Sequence, residues 1–339
     1  MKRNFVVFAL CALMALIVAS IAKTGAAPSV GAASWFRYNI ARSHFSAARG
    51  PLRQRAGRGG GEPGRVPDEV RFREVAERGL LVDAWVNGAG RYTFAIDTGA
   101  GATLISPRVA QAAGITTSDR PVQIGGLSGS GFVSGREATV RSLAVGDSGN
   151  FLPARGQVIV TDAMPSDIDG VLDPTEAYWP LGYSIDLPHG VLSAFDPRLH
   201  PLRINEAPPG GAVVPWVSDN DGRRPFVMLD NGHRALVDTG SEFGLAVSES
   251  AANSFGIASA SATRRNSSAS DLSRGTIQSR RVAPATVRVG PLTLRGVPTD
   301  LLSGVAAGSP VLLGRDALRP FQITFDPLNR LIRFVPQPR

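Results

Sequence analysis

Apolar positions fall into two kinds of run along this chain. Behind Lys2 and Arg3, the stretch Phe5 to Ala22 is apolar throughout except for Ser20. Beyond residue 78 the apolar residues instead come in short alternating runs, the period of strands with one buried face. GLLVDAWVNGAGRYTFAIDTGA reads as an alternating strand, an Asn87-Gly88 turn and a second strand running into Asp97-Thr98-Gly99. RRPFVMLDNGHRALVDTGS repeats the plan, with Asn231-Gly232 as the turn and Asp238-Thr239-Gly240 at the end. Asn-Gly between alternating apolar runs is a strong hairpin signal.

The two copies stay in step further on. A short helix is predicted after each: Ser106 caps the first, Pro107 opens it and Gly114 ends it, while Ser248 and Gly256 bracket the second. The Gly/Ser-rich stretch GGLSGSGFVSG begins 28 residues past Asp97, and NSSASDLSRG begins 28 past Asp238. Strands ending at Gly146 and Gly290 come next. Val171-Leu172-Asp173 and Leu312-Leu313-Gly314 follow, with Asp173 and Gly314 each 76 residues beyond their own aspartate. YSIDLPHGVLSAF and FQITFDPLNRLIRF both read as strand, turn, strand. Such a repeat predicts an all-β chain of two lobes, residues 74–202 and 203–339.

Composition agrees, since 38 Gly and 25 Pro favour many short strands over long helices. The net charge of +8 invites a nucleic-acid reading until it is located. Residues 1–73 hold 12 Lys and Arg against Glu62, Asp68 and Glu69, whereas the rest sets 24 basic against 25 acidic groups. The body is thus near neutral and has no basic stripe for phosphates, so nucleic acid is not an expected partner.

The basic, apolar start (1–27) predicts a signal peptide, with Ser20-Ile21-Ala22 of the form a signal peptidase cuts, or an N-terminal membrane anchor. Either implies export to a periplasmic or other extracytoplasmic place. Residues 28–73, rich in Gly, Pro and Arg, read as a flexible tether or a removable prosegment. The only cysteine, Cys11, lies in the leader, so the body holds no disulfide.

A lone Asp-Thr-Gly is usually a turn, with Asp bonding its own backbone and Gly taking a positive φ. Two at equivalent places in a repeat are different, because a pseudo-twofold axis would bring both loops to one interface. On FAIDTGA, ALVDTGS and VLLGRDAL, over residues 78–336, the chain resembles an aspartic protease: retroviral-type lobes fused in tandem into a pepsin-like bilobed chain. The resemblance implies an acid-protease fold of two β-barrel-like lobes and Asp97 and Asp238 as a catalytic pair around one water. It also implies a protein or peptide substrate, no cofactor, no metal and a monomer.

Two carboxylates a few ångströms apart share one proton, so one can act as base and the other as acid. Gly99 and Gly240 leave room for backbone approach to the carboxylates. Thr98 and Thr239, as the resemblance implies, bond across to the opposite loop. Ser241 is placed to donate to Asp238, for which Ala100 is no counterpart, so Asp238 is expected to be the ionised member and Asp97 the proton carrier. Gly125, Gly126, Leu127, Ser128 and Gly129 are expected in a mobile flap over substrate, with a Ser-rich counterpart in the second lobe. Asp173 departs from the pattern by standing where the second copy has Gly314. An inactive peptide-binding module of the same fold stays open as a second reading. A two-carboxylate glycosidase does not need twin Asp-Thr-Gly loops, and GLSGSG lacks the Gly-x-Ser-x-Gly spacing of a serine hydrolase.

Overall fold

In the first Asn-Gly turn, Asn87 (φ 52°) and Gly88 (φ 83°) both have positive φ, as a two-residue type I′ hairpin demands. It joins the strands Gly79–Val86 and Ala89–Ile96. The second hairpin is built differently. The Gly232 N–H donates to the Leu229 carbonyl at 3.0 Å, and the Leu229 N–H donates to His233 at 2.9 Å. With Gly232 at φ 81° this is a longer, bulged turn between Phe226–Met228 and Arg234–Asp238.

The structure, a computed structural model, describes residues 39–41, 65–129, 131–153, 156–217, 223–257, 265–270 and 275–338. The proposed leader lies outside the described residues, as does most of the Gly/Pro/Arg-rich stretch.

The predicted helices form where the caps place them. Ser106 Oγ accepts the Val109 N–H at 3.3 Å and Pro107 opens the helix Pro107–Ala112. After Ser248 the chain makes a 3-10 helix, Glu249–Phe255, and Gly256 closes it at φ 65°. Ser248 does not cap here; its hydroxyl pairs with that of Ser250 at 2.9 Å.

Each repeat then threads a third strand beside its Asp-Thr-Gly strand. Gly170–Leu172 runs parallel to Ala89–Ile96 and antiparallel to Leu104–Ile105. Val311–Gly314 does the same beside Arg234–Asp238 and Leu245–Ser248. This insertion sets each Asp-Thr-Gly loop beside a fully buried strand, and the Asp97 N–H donates to the Leu172 carbonyl at 3.0 Å.

Among the described residues three sheets result: ten strands mainly from the first repeat, seven from the second, and six shared between them. The shared sheet takes Val70–Arg71, Gly182–Asp186 and Val191–Phe195 from the first part of the chain. Ala212–Pro215, Phe321–Asp326 and Leu331–Pro336 come from the second. At its middle Tyr183 pairs with Phe325, their rings stacked 4.7 Å apart. Burying both large rings welds the lobes through one continuous apolar core.

The stretch 28–73 is therefore not a tether along its whole length. Val70 and Phe72 alternate with exposed Arg71 and Arg73 and are buried, a two-residue period that docks on Val191–Leu192. Further upstream, Asn39–Ala41 adds an antiparallel edge strand to Thr117–Gly125.

Candidate active site

The two Asp-Thr-Gly loops meet between the lobes. The Thr98 N–H donates to Thr239 Oγ1 at 3.2 Å, and the Thr239 N–H returns a bond to Thr98 Oγ1 at 3.0 Å. Thr98 Oγ1 donates onward to the Val237 carbonyl at 2.7 Å and lies 3.4 Å from the Thr239 hydroxyl. All four groups are buried, so each bond satisfies a polar atom that water cannot reach.

Above this brace each carboxyl lies over the glycine of the opposite loop. A Cβ on Gly240 would fall 2.5–2.6 Å from the two Asp97 oxygens, and one on Gly99 would fall 3.0–3.3 Å from those of Asp238. Only glycine lets the carboxyls come this close. Both aspartates are buried, at 0% and 1% exposure. The Gly99 N–H donates to Asp97 Oδ1 at 2.7 Å. Asp97 Oδ2 is buried and accepts from no N–H or hydroxyl among the described residues, which leaves it for a proton. Burial first, then the neighbouring Asp238 charge, push the Asp97 carboxyl well above the usual carboxylate range; the Gly99 N–H opposes them.

The supporting turns differ between lobes for a visible reason. A Cβ on Gly314 would lie 2.8 Å from both the carbonyl and the hydroxyl oxygen of Ser241, so no side chain fits. In the first lobe the equivalent position has space. There Asp173 caps the helix Pro174–Ala177 by accepting the Thr175 N–H at 2.9 Å, and its own N–H donates to Thr103 Oγ1 at 3.2 Å. The strand pairing beneath it is intact, so the turn is re-capped rather than remodelled. Burial, with the Glu176 charge next, raises the Asp173 carboxyl to about 7. Glu176 in turn pairs with Arg223 of the second lobe at 2.6 Å.

Ser241 is fully buried; its hydroxyl accepts the Phe243 N–H at 3.3 Å. The flap residues form the end of a hairpin between Thr117–Gly125 and Phe132–Thr139, with Gly125 paired to Phe132. Gly126 and Gly129 close the turn through a 3.2 Å bond, and Ser128 sits within it. The second-lobe counterpart is also a hairpin, Arg265–Ser270 against Thr276–Val289, whose turn lies outside the described residues.

Leu127 docks the tip of the first hairpin on the other lobe. Its side chain is fully buried in an apolar cluster of the other lobe, with Phe226, Leu236, Phe243, Ile277 and Leu312. Its carbonyl accepts the Ala306 N–H at 2.9 Å. The tip of this hairpin therefore reaches across to the second lobe.

Sequence reasoning missed a charged latch. Arg315, 1% exposed, donates to the Thr239 carbonyl at 2.7 Å and pairs with Glu242 at 3.2 Å and with Glu74 of the first lobe at 3.3 Å. Arg319 reaches the same Glu74 at 2.7 Å. The signal was present in VLLGRDAL, where an arginine directly follows a fully buried strand; such a cation is buried only with partners.

A family model described as aspartyl protease matches residues 82–172 and matches again over 228–317. Each match contains one Asp-Thr-Gly and ends on or just past its supporting strand. The crystal structure of aspartic proteinase from Irpex lacteus superposes with a TM-score of 0.54 at 14% identity, covering 80% of this chain and 97% of that one. That likeness shows a shared fold. No curated protein matches the chain.

Proposed function

We propose, from the premise that this chain belongs to the aspartyl protease family, that it is an exported endopeptidase using Asp97 and Asp238 to activate a water. One observation carries the reading: two buried carboxyls, each over the other loop's glycine, braced by the reciprocal Thr98–Thr239 bonds.

The chemistry follows from the shared proton. Asp97, raised by burial and by its neighbour, holds the proton, and Asp238 is the carboxylate that draws one from the water as it attacks the scissile carbonyl. The Asp97 proton polarises that carbonyl and then passes toward the leaving amine. Fixed donors around the pair, chiefly the Gly99 N–H, are in place before substrate arrives, so little reorganisation is needed. Substrate enters only when Leu127 leaves its seat, which makes the flap a gate as well as a cover.

Export is supported by Lys2, Arg3 and the apolar run Phe5 to Ala22, and a body without cysteine is compatible with an oxidising compartment. Residues 5–22 either leave by cleavage or anchor the chain in a membrane.

The test is to incubate the purified full chain with an unstructured protein from acid to neutral pH. Cleavage blocked by pepstatin supports the endopeptidase. A correctly folded wild type that binds peptides and cuts none at any pH makes the chain a bilobed binding module instead.

A further inference from the structure

On the shared sheet, far in sequence from either Asp-Thr-Gly loop, four polar residues stand in one line across neighbouring strands. Ser193 pairs with Ser184, Ser184 with Thr324, and Thr324 with Arg333. Directly opposed residues share a face of the sheet. The other face carries Tyr183, Ile185, Ile323 and Phe325 into the core. Beside the polar row lies the segment with His200 and Arg203, and between them is a half-open cavity of about 480 Å³.

A count of hydrogens shows what this cavity lacks. Ser184 Oγ donates to Thr324 Oγ1 at 2.8 Å, and Arg333 Nη2 donates to the same oxygen at 3.4 Å. Thr324 Oγ1 therefore has two partners, Ser184 and Arg333. The Arg333 Nε is buried and meets no acceptor among the described residues. Arg203 is matched by Glu206 at 3.1 Å, but no carboxylate among the described residues pairs with Arg333. Arg333, a permanent cation, lines this cavity together with His200, Arg203 and Glu206. A buried donor such as the Arg333 Nε is costly unless something accepts from it.

We propose that this cavity binds a phosphate group, carried either by a small soluble phosphomonoester or by a lipid headgroup. Guanidinium matches phosphate oxygens through several N–H bonds at once. Donors arrive from the sheet (Arg333) and from the covering segment (His200, Arg203), which suits a tetrahedral group with several free oxygens better than a planar carboxylate. The volume is that of a small-ligand site and exceeds a bare oxyanion, so the phosphate comes with an organic substituent. The inference does not depend on protease activity.

Calorimetry on the full chain in neutral detergent, with glycerol 3-phosphate as the soluble probe and chloride at matched ionic strength as control, tests it. Saturable binding weakened at least about tenfold in Arg333→Gln is the expected result, the loss of one charge-assisted hydrogen bond. The lipid arm compares flotation with phosphatidylcholine vesicles against the same vesicles containing phosphatidic acid. The N-terminal segment is present in both proteins, so only the difference between wild type and Arg333→Gln reports on the cavity. A difference confined to the vesicles assigns a lipid, and one confined to the soluble probe assigns a soluble ester. Should Arg333→Gln fail to fold, the exposed pair His200→Gln and Arg203→Gln carries the same comparison. No saturable binding of either probe, or binding that these substitutions leave unchanged, overturns the proposal.

Discussion

Thr98 and Thr239 exchange hydrogen bonds across the lobe boundary, amide to hydroxyl in both directions, at 3.2 and 3.0 Å. The exchange is not symmetric in its consequences. Thr98 Oγ1 also serves the Val237 carbonyl, so Thr98→Ala strands two buried backbone groups, whereas Thr239→Ala strands only the Thr98 N–H. At roughly 1–3 kcal/mol per stranded group, Thr98→Ala is expected to lower stability more than Thr239→Ala, and Thr98→Ser to restore most of it. Denaturant unfolding of the three variants checks the order.

The glycines beneath the carboxyls predict a second asymmetry. Gly240→Ala drives a methyl to within 2.6 Å of both Asp97 oxygens and must displace the carboxyl, while Gly99→Ala meets Asp238 at 3.0 Å or more and asks for a few tenths of an ångström. Peptide cleavage is expected to vanish in Gly240→Ala and to survive in part in Gly99→Ala. Equal kcat/KM for the two would contradict the packing described.

Asp173 gives a pH prediction whose sign is set by its raised carboxyl. In the fold it titrates at about 7, against an unfolded value near 4, so the folded state holds an extra proton between the two. Stability is therefore fully present below about pH 4 and falls as pH rises through 7. Asp173→Asn keeps an acceptor for the Thr175 N–H and removes the titration. Its melting temperature is expected to match wild type in acid and to exceed it at pH 8, by an amount on the order of a few kcal/mol in stability. Because the Asp173 charge also helps raise Asp97, the alkaline limb of activity should move toward acid in this variant.

Much of this was legible in the sequence. The strands, both Asp-Thr-Gly loops and the paired 76-residue offsets follow from local period and repetition, because a buried strand end and a tight turn each impose residue types nearby. The shared sheet was not legible: Val70–Arg71 docks on Val191–Leu192, about 120 residues away, and nothing local announces the partner. Leu127 looked like one more loop residue in a Gly/Ser stretch because its burial is supplied by the opposite lobe. Asp173 was visible as a departure, but its tolerance depends on open space that Gly314 lacks, which only packing reveals.

Leu127 should set how often the flap opens. Truncation to Ala removes packing worth about 2–5 kcal/mol at a well-filled site, and even 2 kcal/mol corresponds to roughly 30-fold more opening. Hydrogen exchange of the amides at 122–127 is expected to quicken by at least that factor, with global unfolding changed far less.

The Arg315 latch joins Glu242, the Thr239 carbonyl and Glu74 on the first lobe. Arg315→Met leaves a partly buried carboxylate and a carbonyl without their cation, a loss of about 3–5 kcal/mol. Lysine, with no fork to reach three acceptors, should recover little. Thermal unfolding of both variants reads this directly.

The central claim is that Asp97 and Asp238 act as one unit on one water. It is tested most directly by kcat/KM for peptide cleavage in wild type, Asp97→Asn, Asp238→Asn and the double variant. Groups that act together are strongly non-additive, so each single substitution is expected to cost as much as both. A single variant that keeps substantial activity, or losses that multiply in the double variant, would contradict a shared-proton pair.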